Sequence, residues 1–248
     1  MKRAAFSLLA LALGFVMLSA SRPTVRDQHQ PLPVHHSSLA SGAIARALAV
    51  VDPVRAADEE RADVRQRLRD AEAGTYIGDI LLERDSALAR WPDRLENPLA
   101  VWVEPQSPVR DFTTLYVAEV RSAFQEWGAL RLPVRFVFVR DSARADVHVN
   151  FIDHFDEPIS GRTRWTRDDD WAITDANIIL AVHHHLGEQL DPDAMHAMAL
   201  HEIGHLLGLD HTTDSLSIMA PRVRVRALSS ADRATVRLLY ALPPGPLR

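Results

Sequence analysis

His201-Glu202-Ile203-Gly204-His205-Leu206-Leu207-Gly208-Leu209-Asp210-His211 is the stretch on which the reading of the whole chain turns. On a helix, residues four apart stand one above the other on the same face. His201 and His205 therefore present two imidazoles to one point, and at the Zn–N bond length of roughly 2.0–2.1 Å both reach a single ion. Glu202 leans to the same side without binding, where a carboxylate can take a proton from metal-activated water. Gly208 accounts for a third ligand. A helix offers only a narrow face to an ion, so the chain has to stop and turn back, and glycine tolerates the left-handed conformation that ends helices. His211 then arrives from a new direction and completes a three-histidine set, with the fourth position left for water. A core helix with incidental histidines would need neither the acid, nor the glycine, nor the third histidine at these spacings.

The pattern HExxHxxGxxH resembles the zinc motif of the metzincin metallopeptidases, and the likeness continues downstream. Ser217-Ile218-Met219-Ala220-Pro221 is similar to their methionine turn. Leu228-Ser229-Ser230-Ala231-Asp232 through Leu239-Tyr240 resembles the closing helix of the matrixin branch. The similarity is strongest over residues 190–242, weakens to an order of elements back to about residue 98, and says little about residues 1–74. It implies an α+β catalytic domain with an α/β-like start. Such a domain has a twisted mixed sheet of about five strands, three main helices, and a zinc cleft between the sheet edge and a C-terminal subdomain. It also implies that Met219 forms an apolar floor beneath the metal and that Asp232 is a buried acid bonded to the methionine turn. Two departures follow. Ala231 stands where the family carries an aspartate that can pair with a newly freed N-terminal ammonium. The chain has no cysteine, so the family's cysteine switch is impossible and latency needs another route. The second, structural zinc of animal matrixins is held by an H-x-D loop and two strand histidines; no H-x-D is read in this chain, and a single zinc is predicted.

The absence of cysteine also excludes disulfides, thiolate-ligated zinc and a thiol nucleophile. With 248 residues, 47% of them apolar, one domain plus a leader or extra segment is expected. The net charge of −5 argues against a nucleic-acid partner; Lys2 is the sole lysine, and the many arginines read as genome composition. Residues 1–21 read as a signal peptide: Lys2 and Arg3 are basic, Ala4 to Leu18 is apolar, and Ser19-Ala20-Ser21 is small. The apolar run is short for a span of about 20 residues. Export to an extracellular or periplasmic location is therefore expected, without stable membrane association, the alternative being an anchor formed by an uncleaved leader. Residues 22–56 read as a linker or loosely ordered arm in which His29, His35 and His36 are solvated. Residues 57–97 read as a helical extension or a removable propeptide. It would comprise a charged helix over Ala57 to Ala73, ended by Gly74, and another over Ile77 to Trp91, stopped by Pro92. The catalytic domain is assigned to 98–243 and a tail to 244–248.

Within the domain, Leu99 to Val103 reads as a strand. Tyr116, Val120, Ala123, Phe124, Trp127 and Leu130 mark one amphipathic helix, with Trp127 in the core. Val134 to Val139 and Asp146 to Ile152 follow as strands. Gly161-Arg162-Thr163-Arg164-Trp165 suits a sheet edge and Ala176 to Ala181 an interior strand. The resemblance implies that residues 161–166 line the cleft and pair with substrate backbone by strand addition, which makes Gly161, Arg162 and Thr163 candidate substrate contacts. Asp168-Asp169-Asp170 reads as a solvated turn, and calcium is not predicted. His183-His184-His185 reads as a solvated loop, since side chains alternate along an extended chain and three in a row do not converge on one ion. Asp191-Pro192 has the residues that open a helix, whose Leu200, Ile203 and Leu207 face away from the histidines. Ser229 with Asp232 forms a capping-box variant at the last helix.

These readings lead to a secreted zinc-dependent endopeptidase, acting as a monomer on protein or peptide substrates, with Glu202 as general base. A catalytically silent zinc-containing scaffold is the alternative; it would have no use for Glu202. A gluzincin with a downstream glutamate ligand is disfavoured by Gly208 and His211. Pro221-Arg222-Val223-Arg224-Val225-Arg226-Ala227 is, by resemblance, the wall of the pocket for the side chain just beyond the scissile bond. When extended, its arginines share one face and its valines the other. Either the arginines face solvent and the valines line an apolar pocket, or Arg224 turns inward to favour an acidic or amide side chain.

Overall fold

A computed structural model of the chain describes residues 74–84 and 87–246. The leader, the arm and the charged helix expected over residues 57–73 lie outside the described residues. In chain order the elements are α1 (Ile77–Glu83), β1 (Ala87–Leu88), β2 (Arg94–Val103), α2 (Thr114–Gly128), β3 (Val134–Phe138), β4 (Val147–Ile152), β5 (Gly161–Arg167), β6 (Ile173–Ala181), α3 (Pro192–Leu206), α4 (Ser230–Ala241) and β7 (Gly245–Pro246). A single 3-10 turn at Ser142–Arg144 joins β3 to β4. No helix among the described residues is long and apolar enough to cross a membrane.

Alternation builds the sheet. Val147, Val149 and Phe151 of β4, and Ala176, Ile178 and Leu180 of β6, are buried on one face, as the period of two requires. The five strands lie in the order β3-β2-β4-β6-β5. All neighbours are parallel except β5, which runs antiparallel to β6 at the edge. That is the expected α+β plan, with the charged strand at the rim. Helix α2 lays Tyr116, Val120, Ala123, Phe124 and Trp127 into the core. It is tied to α3 by Trp127, whose indole Nε1 donates to Leu200 O at 3.0 Å. Asp191 accepts from Ala194 N at 2.6 Å and so caps α3, with Pro192 at its first turn.

Four expectations need correction. The helix predicted over Ile77 to Trp91 ends at Glu83. Tertiary contacts override the local pattern here: Ala87–Leu88 pairs antiparallel with Gly245–Pro246, and Trp91, wholly buried, donates from Nε1 to Leu206 O at 2.9 Å. The boundary placed between residues 97 and 98 falls inside β2, and Tyr76, Ile77, Ile80, Leu88 and Trp91 belong to the same core as the sheet. Gly245 and Pro246, expected in a tail, form the partner strand of β1. His183, expected in solvent, is buried at 1% exposure. Its Nδ1 lies 2.8 Å from Asp153 Oδ1 and its Nε2 3.1 Å from Asp111 Oδ2, so acids from two loops flank it. His184 instead meets Ser160 Oγ at 2.9 Å, and His185 is exposed. The aspartate turn behaves as read, with Asp168 Oδ1 accepting from Asp170 N and Ala172 N at 3.0 and 2.9 Å.

Candidate metal centre and cleft

Among the described residues, His201, His205 and His211 are the one set that brings three metal-ligand atoms together. His205 Nε2 lies 3.1 Å from His201 Nε2 and 3.2 Å from His211 Nε2. Tetrahedral bonds of 2.0–2.1 Å would set two nitrogens about 3.3 Å apart, close to what is found. The outer nitrogens fix the tautomers. His201 Nδ1 donates to Ile218 O at 2.7 Å and His205 Nδ1 to Leu209 O at 3.1 Å, which leaves both Nε2 atoms as bare lone pairs. Two lone pairs facing each other at this range repel, so the contact between His201 and His205 Nε2 is not a hydrogen bond, and the three Nε2 atoms lie close enough together to hold one cation. Burial pushes His201 down to about 4 and His205 well below its ordinary value. These two ligands are thus held neutral, as ligation demands.

The third histidine depends on a turn. Leu207 N donates to Ile203 O at 2.9 Å as the last α-helical bond, and Gly208 then adopts φ +97°. A side chain there would be strained and would run into the carbonyl of Ala89.

Glu202 is buried beside the three histidines, at 3% exposure. Burial pushes its carboxyl up to about 7, opposed by the hydrogen bond from Thr163 and by the charge of Arg162. Thr163 Oγ1 stands 2.6 Å from Glu202 Oε2 and 2.9 Å from Glu202 O. Gly161 gives the carboxylate room: a Cβ there would stand 2.7 Å from Glu202 Cγ. Two residues read as substrate contacts therefore have their side-chain positions turned to Glu202. The side chain of Arg162 goes elsewhere, to Glu157 at 2.9 Å and over the Phe155 ring at 4.9 Å.

Met219 is fully buried and lies against Gly204 in the turn of α3 between His201 and His205, as a floor beneath the histidines requires. Its loop is held by Asp232. One carboxylate oxygen accepts from Ile218 N at 3.1 Å and Ser229 N at 2.7 Å. The other accepts from Ser217 Oγ and, at 3.0 Å, from Tyr76 OH. The capping box at Ser229 and the anchoring of the methionine turn are one interaction set. Burial, reinforced by the charge of Asp232, raises the Tyr76 phenol far above its ordinary range.

An open cleft of about 1140 Å³ runs over the histidines and Glu202, between β5 and a wall that includes Pro221, Arg222 and Val223. Arg224 does not line it and is exposed. With Val223 and Val225 packed on the core, alternation turns Arg224 outward, so the inward-arginine reading gives way to the apolar one. Arg226, on the same outer face, reaches Asp193 at 2.8 Å. A second correction concerns the structural-zinc loop. His154-Phe155-Asp156 does have the H-x-D spacing, but His154 Nδ1 pairs with Asp153 at 2.8 Å, and neither β5 nor β6 carries a histidine to complete a second set.

The family model for matrixin matches residues 104–241. The chain belongs to the matrixin family. Metalloendoproteinase 1-MMP of Arabidopsis thaliana is 30% identical over 145 residues, half of this chain and 37% of that protein. Metalloendoproteinase 5-MMP of the same plant is 28% identical over 161 residues, 58% of this chain and 41% of that protein. The chain spans about two-fifths of the length of these relatives. Matrixins imply zinc, and the donor set of this matrixin fits it: three imidazoles whose Nε2 atoms come together, two of them fixed as lone pairs, and an acid alongside that binds none of them. Several residues that build the site lie before the matched region and carry no local signal, among them Tyr76, Asp79, whose carboxylate accepts from Thr212 Oγ1 at 2.8 Å, and Arg84.

Proposed function

We propose that this matrixin is an exported zinc-dependent endopeptidase that cleaves protein or peptide chains. The observation that carries the reading is the buried Glu202 beside three histidine Nε2 atoms at tetrahedral spacing. Zinc, when bound, supplies a Lewis acid that activates water and polarises the scissile carbonyl. His201 and His205 keep their Nδ1 protons on Ile218 O and Leu209 O, which holds their lone pairs on target. Glu202 accepts the proton of the attacking water and returns it to the leaving amine. Thr163 Oγ1 holds the receiving carboxylate in place. The outer edge of β5, the last strand of the sheet, offers backbone groups to an extended substrate, while Pro221 and Val223 give the cleft wall an apolar surface. The basic and apolar start of the chain, Met1 to Ser21, supports export. N-terminal sequencing of secreted protein that lacks those residues would test that part.

Replacing Glu202 with alanine tests the mechanism. Zinc content and fold should persist while the rate falls on the order of 10²–10⁴-fold, the usual worth of a general base. Equal, chelator-insensitive cleavage of an unstructured protein by wild type and mutant would reject a peptidase.

A further inference from the structure

The loop Gly208–His211, which delivers the third histidine, is held from outside the family-matched region by one side chain. Arg84, just after α1, is largely buried, with 13% of its side chain exposed. Its Nε donates to Asp210 Oδ2 at 2.8 Å, its Nη1 to Gly208 O at 2.9 Å and its Nη2 to Leu209 O at 3.3 Å. Its guanidinium carbon lies 5.1 Å over the ring of Trp165 on β5, so the group is fixed on a flat surface as well as by its bonds.

Two of these acceptors also hold the metal ligands. The other oxygen of Asp210 accepts from the backbone N–H of His211 at 3.0 Å. Leu209 O is the carbonyl that receives the Nδ1 proton of His205. One guanidinium thus reaches His211 through a carboxylate and His205 through a carbonyl. The loop has little else to hold it in register: after Leu209 N to Gly204 O at 3.0 Å, the next backbone bond is Thr212 N to Met219 O at 3.1 Å.

We propose that Arg84 is a positioning residue for the metal centre, setting the approach of His211 and the orientation of His205. The proposal rests on the zinc reading above. Arginine is required because only its fork offers donors in the plane and directions of three separate acceptors. Lysine, a compact point charge, would keep Asp210 but not both carbonyls.

The test uses the full chain with Arg84→Met and Arg84→Lys. Zinc affinity is measured by competition with a chromogenic chelator, and the visible spectrum is recorded after cobalt substitution. Partners that orient ligands are worth about 10–100-fold in metal affinity. Arg84→Met should weaken zinc by at least about tenfold and alter the cobalt spectrum, with Arg84→Lys intermediate. A residue that merely stabilised the fold would lower the melting temperature of apo and loaded protein alike. It would leave zinc affinity and the cobalt spectrum of the folded protein at wild-type values, and that result overturns the proposal. Should Arg84→Met fail to fold, Arg84→Lys decides: weakened zinc supports the role and unchanged zinc rejects it. If the wild type itself binds no zinc, the metal reading fails, which is a separate outcome from an Arg84 variant that binds normally.

Discussion

Thr163 and Glu202 meet across the gap between sheet and helix, 39 residues apart in sequence, and their contact sets the acid limb of the pH profile. The hydrogen bond from Thr163 favours the ionised carboxylate and so lowers a pKa that burial raises. Thr163→Val, which removes the donor at nearly constant volume, should raise the pKa of Glu202. Since the base works ionised, the acid limb of kcat/KM should move to higher pH; Thr163→Ser should restore it, and an unmoved limb in the valine variant would count against the contact. The histidines predict the opposite sign at the metal. Burial holds His201 down to about 4 and His205 well below its ordinary value, so the neutral, ligating forms persist as pH falls. Zinc should be retained at pH 5, checked by dialysis in steps followed by metal analysis. Half-loss near pH 6 would contradict it. His201, Glu202, His205 and His211 were legible in the sequence because each sits at a fixed local offset that its geometry demands, and Met219 and Asp232 because their surroundings resemble the matrixin pattern. Thr163 and Arg84 were not: a threonine in a strand and an arginine after a short helix look ordinary until their distant partners are known.

At the scale of elements, periodicity was read correctly where packing agrees with it. The alternation of β4 and β6 and the outward turn of Arg224 and Arg226 follow from a period of two and one buried face. It misled where packing overrides it, as in α1. There the apolar spacing from Ile77 to Trp91 suits a helix, but Leu88 and Trp91 are drawn into two different contacts by β7 and by the end of α3. His183 was missed for a related reason: its burial depends on two acids from other loops. The wall after the methionine turn yields a prediction of its own. A peptide library varied at the residue beyond the scissile bond should show an apolar preference, unchanged in Arg224→Ala, because Val223 lines the cleft and Arg224 does not. A preference for acidic residues abolished by Arg224→Ala would reverse that assignment.

For the molecule as a whole, residues 76–84 and 87–93 are part of the folded body. Ile77, Ile80, Leu88 and Trp91 are at most 1% exposed. At about 1.5–3 kcal/mol for each fully buried apolar side chain, their removal costs on the order of 8 kcal/mol, within the range of a whole domain's stability. A chain begun at residue 98 should therefore fail to fold or aggregate, whereas one begun at residue 74 should fold and bind zinc. Circular dichroism and metal content of the two truncations check this, and a folded, zinc-loaded chain from residue 98 would refute it.

The free edge of β5 has another side. A strand edge that can take up a substrate can equally take up a second copy of itself, which is how exposed strands seed aggregation. Arg164 and Arg167 place two positive charges on this seven-residue edge, beside Arg162, which is paired with Glu157. Two such edges brought together would set like charges opposite one another, an arrangement that destabilises a strand pair. A peptide without that charge meets no such barrier. Such repulsion would work against pairing of the groove with its own kind.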